Sequence, residues 1–150
     1  KQKTAYEIMP SLVGSEMCIR DSNNSKGIWI EDADNTSINN SITYENKIAI
    51  YINQSNNTKI YRCNIYSNKK GLLLYYSNGT TVYENNFLRN KLNAYFFTMR
   101  NYASTWNRNY WRNWLWILPK PIPGKLLTKI GLIPWYNFDW HPARKPYTNK

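Results

Sequence analysis

Apolar and polar residues alternate in short runs through the middle of this 150-residue chain, and the runs recur with a spacing of 22 residues. The clearest run occurs four times, the fourth time one residue late: Gly27–Ile30, Ala49–Ile52, Gly71–Leu74 and Ala94–Phe97. Alternation with a period of two is the pattern of a β-strand, whose successive side chains point to opposite faces. A fixed short period is typical of proteins built from stacked repeats.

Turn-forming residues separate the runs and keep the same period. The recurring turn positions are Asn35, Asn57 and Gly79, followed by Asn46, Asn68 and Asn90. Helical repeats are disfavoured because no apolar spacing of 3.6 residues runs through 26–90, and the Leu-x-x-Leu-x-Leu frame of leucine-rich repeats is missing. The pattern therefore predicts a parallel β-solenoid, with about 22 residues for each coil and about 4.8 Å between coils.

Equivalent residues of successive coils lie above one another in such a fold, so the alternation predicts the interior. We expect four interior columns: Ile28, Ile50, Leu72 and Tyr95; Ile30, Ile52, Leu74 and Phe97; Ile38, Ile60 and Val82; and Ile42, Ile65 and Phe87, with a slip of one residue in the first coil. The residues expected on the outer surface between the first two columns are Trp29, Tyr51, Leu73 and Phe96. The recurring asparagines are expected to bond along their own column.

The repeat resembles that of the right-handed parallel β-helix proteins of the pectin-lyase superfamily. Residues 24–111 carry the resemblance, and their sub-pattern NTxIxxNxIxxNxxGIxI is similar to that of NosD-like periplasmic copper-binding proteins and of archaeal and bacterial surface proteins. The resemblance implies an all-β, right-handed parallel β-helix. It also implies an exported location, either cell-surface, extracellular or periplasmic.

Three segments of different composition divide the chain. Residues 1–22 lack the repeat, and 5–22 resemble a translated sequencing adapter, so we expect this leader to be an artefact without ordered structure. Residues 23–111 are expected to form about four coils, with boundaries after Glu45, Ser67 and Asn90. On this interpretation the chain is the C-terminal part of a longer β-helix.

The third segment, residues 112–150, contains six of the seven prolines. Proline at this density excludes a long helix, so we expect an extended aromatic strap over the end or flank of the coils, with one short helix or strand within 126–133. A solenoid needs such an atypical unit to cover its last coil. The phrases TWNRNYW and GLIPWYNFDWHPARKPY resemble segments that follow the last coil in archaeal surface β-helix proteins.

Charge is distributed unevenly along the chain, whose formal net charge is +11. Residues 1–85 contain nine Lys or Arg and eight Asp or Glu, a net charge of +1, whereas residues 86–150 contain eleven Lys or Arg and one acid, Asp139, a net charge of +10. Such asymmetry predicts a negatively charged partner. The candidates are an anionic polysaccharide, an anionic membrane surface and a nucleic acid.

Aromatic residues at the outward position form the first candidate binding site. Trp29, Tyr51 and Phe96 recur at the spacing of the coils, and an exposed column of rings offers flat faces to sugar rings. The alternative interpretation is that the tail covers these rings.

Glu31, Asp32 and Asp34 form the second candidate site, in the turn after the first repeated run. Their carboxylates are oxygen ligands of the type that Ca²⁺ takes. A solvated turn is the simpler interpretation of such a cluster.

No catalytic set is recognisable in the sequence. Glycoside hydrolases need carboxylates that face one groove, but acids do not recur at 53–56 or 75–78. One histidine, His141, and the separated Cys18 and Cys63 are too few for a zinc site, and copper ligands are not grouped. No cofactor is therefore expected, apart from Ca²⁺ at the acidic turn.

Two further partners are weighed from composition. Basic and aromatic residues mix within 100–114, as in surfaces that stack bases, but no nucleic-acid-binding motif is present, so we expect no specific nucleic acid. The tail has no run of about 18 apolar residues to span a membrane, whereas its Trp and Lys residues suit the membrane interface.

These patterns favour a scaffold and recognition module without catalysis, which binds polysaccharide, in an exported or cell-surface prokaryotic protein. One alternative is a piece of a pectin-lyase-like polysaccharide lyase or hydrolase whose catalytic coils lie upstream of Lys26. Another is a membrane-surface docking element formed by the basic aromatic tail.

Overall fold

The computed structural model describes residues 6–8, 16–17, 20–99 and 103–148. These residues form β-strands and turns without any helix. Strands pair in parallel with the equivalent strands of the neighbouring coils, as in the pairing of Ile28 with Ile50 and of Ile50 with Leu72. The predicted all-β solenoid is therefore confirmed.

Each coil contributes one strand to each of three parallel limbs. The first limb contains β1 (Tyr6–Ile8), β4 (Lys26–Glu31), β7 (Ile48–Asn53), β10 (Lys70–Tyr75) and β13 (Leu92–Met99). The second contains β2 (Glu16–Met17), β5 (Ser37–Asn39), β8 (Lys59–Tyr61), β11 (Thr80–Tyr83) and β14 (Ser104–Asn107). The third contains β3 (Arg20–Ser22), β6 (Ile42–Tyr44), β9 (Asn64–Tyr66), β12 (Asn86–Leu88) and β15 (Tyr110–Trp111).

The last two strands, β16 (Lys120–Thr128) and β17 (Gly131–Asp139), form an antiparallel hairpin. β16 pairs in parallel with β13, and β17 pairs in parallel with β14. The hairpin thereby joins the first two limbs into one 12-stranded sheet, while the third limb is a separate 5-stranded sheet. The extended structure predicted for the proline-rich tail is confirmed, and its function as a cover of the last coil stays a prediction.

The first two interior columns keep the period of 22 residues through all four coils. Their members are Ile28, Ile50, Leu72 and Ala94, and Ile30, Ile52, Leu74 and Phe96. The prediction that the fourth coil runs one residue late is wrong, because Tyr95 pairs with Leu73 and Phe97 pairs with Tyr75 outside these columns. A slip of one residue would turn every side chain of β13 to the opposite face. Pairing with β10 therefore keeps the register, although it places the small Ala94 in the interior column.

The other two columns are confirmed, apart from one residue. Ile38, Ile60 and Val82 pair in register. In the third limb Thr43, rather than the predicted Ile42, pairs with Ile65, and Phe87 continues the column. Thr43 is buried and Ile42 is half-buried. The limb therefore keeps its backbone register although one apolar side chain leaves the core.

Each coil turns at corners where one residue has left-handed backbone angles. The corner residues are Asp32, Gln54 and Tyr76; Asn35, Asn57 and Gly79; Asn40, Arg62, Glu84 and Arg108; and Glu45, Ser67 and Arg89. Asparagine adopts such angles easily, whereas for Tyr76 and Arg62 the path of the coil imposes them. A Cβ atom on Gly79 would clash with Asn57 Oδ1, so a larger residue here needs both a left-handed conformation and a shift of the Asn57 side chain.

A ladder of asparagine side chains runs along the corner before the first limb. Asn46 Oδ1 accepts a hydrogen bond from Asn24 N at 2.8 Å, and Asn68 Oδ1 accepts one from Asn46 N at 2.9 Å. Asn90 Oδ1 accepts from both the backbone N and the Nδ2 of Asn68, each at 3.0 Å. The predicted bonding along the asparagine column is confirmed, and it satisfies buried N–H groups that the strands leave without a partner.

A second polar ladder runs between the second and third limbs and ends at the hairpin. Cys63 N donates to Asn85 Oδ1 at 3.0 Å, and Asn85 N donates to Asn109 Oδ1 at 3.1 Å. Asn109 N then donates to Asp139 Oδ2 at 2.9 Å. The Cys63 thiol approaches Ile38 O, and Asn85 Nδ2 donates to Ile60 O, the equivalent carbonyl of the next coil. Cys63 therefore occupies the position that an asparagine occupies in the next coil.

The leader differs from the expectation that residues 1–22 have no ordered structure. Strands β1, β2 and β3 pair in parallel with β4, β5 and β6. The open end of a parallel stack presents unpaired backbone groups, so a preceding segment adds strands even though its side chains lack the repeat. Residues 1–5, 9–15 and 18–19, including Cys18, lie outside the described residues. The adapter origin stays a prediction.

Candidate functional site

A strip of four aromatic rings crosses the outer surface of the first limb. Trp29 and Tyr51 meet edge to face with 6.4 Å between ring centroids, and Tyr51 lies 5.5 Å from Tyr75. Tyr75 in turn stacks on Phe97 at 5.9 Å. These four half-buried residues, which we name the aromatic strip, take one ring from each of four coils. The strip is therefore about 14 Å long, at about 4.8 Å for each coil.

The aromatic strip contains two of the three aromatic residues predicted from the sequence. Trp29 and Tyr51 lie on the outer surface, whereas Phe96 is 2 % exposed and fills the interior, so its predicted position on that surface is wrong. Tyr75 and Phe97 replace it. Phe97 was missed because the fourth coil was shifted by one residue, and Tyr75 was missed because Leu73 was taken as the outward residue of the third coil. The unshifted spacing of 22 residues between these two aromatics was the signal that identifies them.

One lysine side chain, that of Lys26, lies against the aromatic strip. Lys26 Nζ lies 3.4 Å from the ring centroid of Trp29 and 4.3 Å from that of Tyr51. This cation–π contact covers one ring face at the first-coil end of the strip. The Trp29 Nε1 atom is buried there without a hydrogen-bond partner among the described residues.

A column of exposed lysines runs beside the aromatic strip, at the corner before the first limb. Lys47, Lys69 and Lys91 occupy the same position in three successive coils. No carboxylate lies within ion-pair distance of them in the part of the chain that the structure describes. Lys47 precedes Tyr51 by four residues, and Lys69 and Lys91 precede Tyr75 and Phe97 by six, so the lysine column lies within about 13 to 20 Å of the strip. Repulsion between its like charges would be relieved by an anionic ligand.

Burial and neighbouring groups raise the pKa values of two tyrosines on this surface. The pKa of Tyr51 is raised above its ordinary value by burial first, and then by the Glu31 carboxylate and by Tyr75. Burial also raises the pKa of Tyr95, with a further contribution from Tyr75. Both hydroxyls therefore keep their protons and remain hydrogen-bond donors at neutral pH.

Tyrosine pairs on the other limbs have a different geometry. Tyr61 and Tyr83 stack with 5.1 Å between centroids and an angle of 6° between planes, and Tyr44 and Tyr66 stack at 5.2 Å and 4°. Parallel stacking covers the facing ring surfaces. In the aromatic strip the Trp29–Tyr51 contact is edge to face at 74° and the Tyr51–Tyr75 contact is tilted at 40°, whereas Tyr75 and Phe97 are stacked at 17°.

The three acids predicted to bind Ca²⁺ are used in different ways. Glu31 Oε1 accepts a hydrogen bond from Asn53 Nδ2 at 2.9 Å, and Asp34 Oδ1 accepts one from Asn56 N at 2.6 Å. Asp32 is exposed at a corner of the coil. No group of three or more His, Cys, Asp or Glu side chains that could hold a metal occurs among the described residues. Calcium binding at this turn stays a prediction.

A cavity of about 190 Å³ lies where the hairpin meets the last coil. Its lining includes Lys91, Trp111, Lys120 and Ile122. Lys120 Nζ lies 4.5 Å from the ring centroid of Trp114, and burial lowers the pKa of Lys120. Lys120 therefore adds a partly buried cation to the cavity that Lys91, the last member of the lysine column, also lines.

The buried carboxylate of Asp139 anchors the hairpin beside this cavity. Its Oδ1 accepts hydrogen bonds from Arg108 N at 3.1 Å and His141 N at 3.3 Å. Its Oδ2 accepts from Asn109 N at 2.9 Å, Asn109 Nδ2 at 3.0 Å and Trp111 Nε1 at 3.1 Å. Five N–H donors thus surround one carboxylate that is 0 % exposed.

The described residues include no helix with the length and apolar character needed to cross a membrane.

Parallel limbs, polar ladders and rings repeated from coil to coil define a β-solenoid whose outer surface carries its candidate binding residues. The chain belongs to the right-handed beta helix family, since the family model for the right handed beta helix region matches residues 14–113. This membership is consistent with the pectin-lyase-like superfamily. Comparisons with curated proteins and with solved structures gave no match.

Proposed function

We propose that the chain is a non-catalytic scaffold of an exported or cell-surface protein, which recognises an acidic polysaccharide along the outer surface of the first limb. The aromatic strip is the observation that supports this proposal. Four contacting rings follow the axis of the solenoid, and a sugar chain laid along them places one ring for each coil, since a pyranose and a coil have similar repeat lengths of about 5 Å.

Charge beside the strip favours an acidic over a neutral polysaccharide. The lysine column presents one ammonium group in each of three successive coils, and Lys26 and Lys70 lie nearer to the rings on the strands themselves. A polymer with regularly spaced carboxylates would meet several of these cations at once. Binding through several weak, aligned contacts raises affinity beyond that of a single sugar unit.

Affinity electrophoresis through gels that contain polygalacturonate, alginate or a neutral glucan tests the proposal. We expect acidic polysaccharides to retard the protein more than the neutral one, without release of new reducing ends. Tyr51→Ala combined with Tyr75→Ala is expected to weaken binding at least about tenfold, which corresponds to about 1.4 kcal/mol. Tyr66→Ala combined with Tyr44→Ala, on the third limb, is the matched control and should leave retardation unchanged.

The charge requirement is tested separately. Lys69→Glu, in the lysine column, is expected to reduce retardation by acidic polysaccharide, whereas Lys59→Glu, on the second limb, is not. Equal effects of both variants, or no retardation by any acidic polysaccharide, would contradict the proposal. Release of reducing ends by this chain would instead favour the lyase or hydrolase alternative.

A further inference from the structure

The register of the terminal hairpin divides its side chains between two faces. Residues paired across the hairpin share a face, as do residues two apart along each strand. One face contains Ile122, Gly124 and Asp139, all buried against the last coil. The other, which we name the outer hairpin face, consists of Leu127, Leu132, Tyr136 and Phe138, with Pro121, Pro123, Pro134 and Lys125.

The outer hairpin face and the tip of the hairpin expose apolar side chains. Leu132, Tyr136 and Phe138 are exposed large hydrophobic residues, and Ile130 at the tip is 92 % exposed. Trp135, which pairs with Gly124 and therefore lies on the opposite face of the hairpin, is also exposed. An apolar patch of this kind marks a surface that contacts another body.

Every exposed charge of this segment is positive. Lys125 lies on the outer hairpin face and Lys129 lies at the tip, both exposed. The single acid of residues 86–150 is Asp139, whose carboxylate is buried and engaged by N–H donors. The apolar patch therefore includes two cations, and the hairpin has no exposed carboxylate.

We propose that the hairpin tip and the outer hairpin face bind the surface of an anionic phospholipid membrane. Tryptophan, tyrosine and lysine side chains suit the boundary between headgroups and acyl chains, where apolar side chains insert about 5–10 Å. Ile130 and Leu132 are the residues that insert, while Lys125 and Lys129 contact anionic headgroups. The contact lies on the hairpin and adjoins the polysaccharide surface on the first limb, since Lys125 pairs with Phe97 of the aromatic strip.

Charge distinguishes this partner from a second copy of the chain. Two hairpins packed face to face would bring cations of the same sign together, which opposes association. Edge-to-edge pairing is also disfavoured, because Pro134 in β17 has no N–H to donate to a new strand. An anionic bilayer removes both difficulties, since it supplies negative charge and requires no strand pairing.

Flotation of the full chain with vesicles of phosphatidylglycerol and phosphatidylcholine tests the proposal. We expect binding that decreases as NaCl is raised and is much weaker with phosphatidylcholine alone. Ile130→Ser combined with Leu132→Ser is expected to weaken partitioning at least about tenfold, because both side chains lose their apolar contact with the bilayer. Circular dichroism should show that this exposed double variant keeps its fold.

The charge contribution is measured with a matched pair. Lys125→Glu is expected to reduce binding to phosphatidylglycerol vesicles severalfold, whereas Lys59→Glu, which makes the same charge change on the second limb, leaves it unchanged. No flotation with anionic vesicles, or flotation that the tip variant does not alter, would overturn the proposal. So would dimerisation without lipid that the tip variant abolishes, since the partner would then be a second copy.

Discussion

The coils and the terminal hairpin are held together by different kinds of contact. In the coils, each interior side chain packs on its equivalents 22 residues away, and each ladder asparagine is bonded on both sides. At the hairpin, Asp139 collects donors from Arg108, Asn109, Trp111 and His141, and further single contacts join Asn137 to Ser104 and Tyr147 to Asn86. Stability is thus distributed over many similar contacts in the coils, whereas at the end of the repeat one carboxylate carries the largest cluster of hydrogen bonds.

Removing that carboxylate is expected to have the largest effect. Asp139→Ala leaves five N–H donors without an acceptor, and the free energy that holds the tail on the coils should fall by about 4 kcal/mol. Trypsin should then cleave at Lys125 and Lys129 faster than in the parent protein, whereas the Lys120–Pro121 bond resists trypsin in both. Asp34→Ala, which removes one exposed hydrogen bond, is the control and should leave cleavage rates unchanged. Equal rates for Asp139→Ala and the parent would contradict an anchoring role.

A cavity in the interior is expected to affect the coils rather than the tail. Ile50 is fully buried, so Ile50→Ala should lower the free energy of unfolding by about 3 kcal/mol in urea titrations. Ile130→Ala makes the same chemical change at the exposed tip and should stay within about 0.5 kcal/mol of the parent. Similar losses for both variants would contradict the assignment of interior and surface.

Removing one asparagine of the ladder is expected to lower the free energy of unfolding by less than the cavity at Ile50 does. The Asn68 side chain accepts from Asn46 N and donates to Thr43 O, Tyr66 O and Asn90 Oδ1. Asn68→Ala should therefore cost about 2 kcal/mol, since two neighbouring coils lose partners but still pack. Asn57→Ala, at an exposed corner, is the comparison in the same urea titration. A larger loss for Asn57→Ala would show that corner conformation outweighs the ladder.

Completing the second ladder is expected to stabilise the protein. An asparagine at Cys63 would donate its Nδ2 to Ile38 O, the carbonyl that the thiol now approaches at 3.7 Å. Cys63→Asn should thus raise the free energy of unfolding by about 1 kcal/mol. Cys63→Ser, whose side chain is too short to span both partners, should not. A loss of stability in Cys63→Asn would mean that packing of the thiol matters more than the ladder.

High pH is expected to produce the smallest effect. Burial raises the pKa of Tyr83 in the coils and of Tyr147 in the tail above the ordinary value of 10.0. Because the unfolded chain ionises first, their contribution to stability is present below about pH 10 and is lost as pH rises through the raised pKa values. The melting temperature should therefore fall between about pH 9 and 11, and less steeply in Tyr147→Phe combined with Tyr83→Phe. An unchanged slope would assign the fall to other groups.

Repetition explains why so much of the coil could be predicted. An interior position such as that of Ile28, Ile50 and Leu72 is specified three times, so one pattern determines strand, face and spacing. The register predicted for the fourth coil was wrong because local similarity of sequence placed Tyr95 in the interior. Pairing along the whole of β13 places Ala94 and Phe96 there instead. The candidate site inherited this error at Phe96 and Phe97, whereas Tyr75 was missed because Leu73 was taken as the outward residue of the third coil.

The sequence by itself determined the solenoid, its period, most of its interior columns and the bonded asparagines, because each of these depends on contacts between chemically equivalent positions. Only the tertiary structure decided the register of the last coil, the two faces of the hairpin and the position of Asp139 at the end of a ladder. These features depend on contacts between residues that do not repeat, such as Asn109 and Asp139. A pattern within the sequence carries no signal for a contact that occurs once.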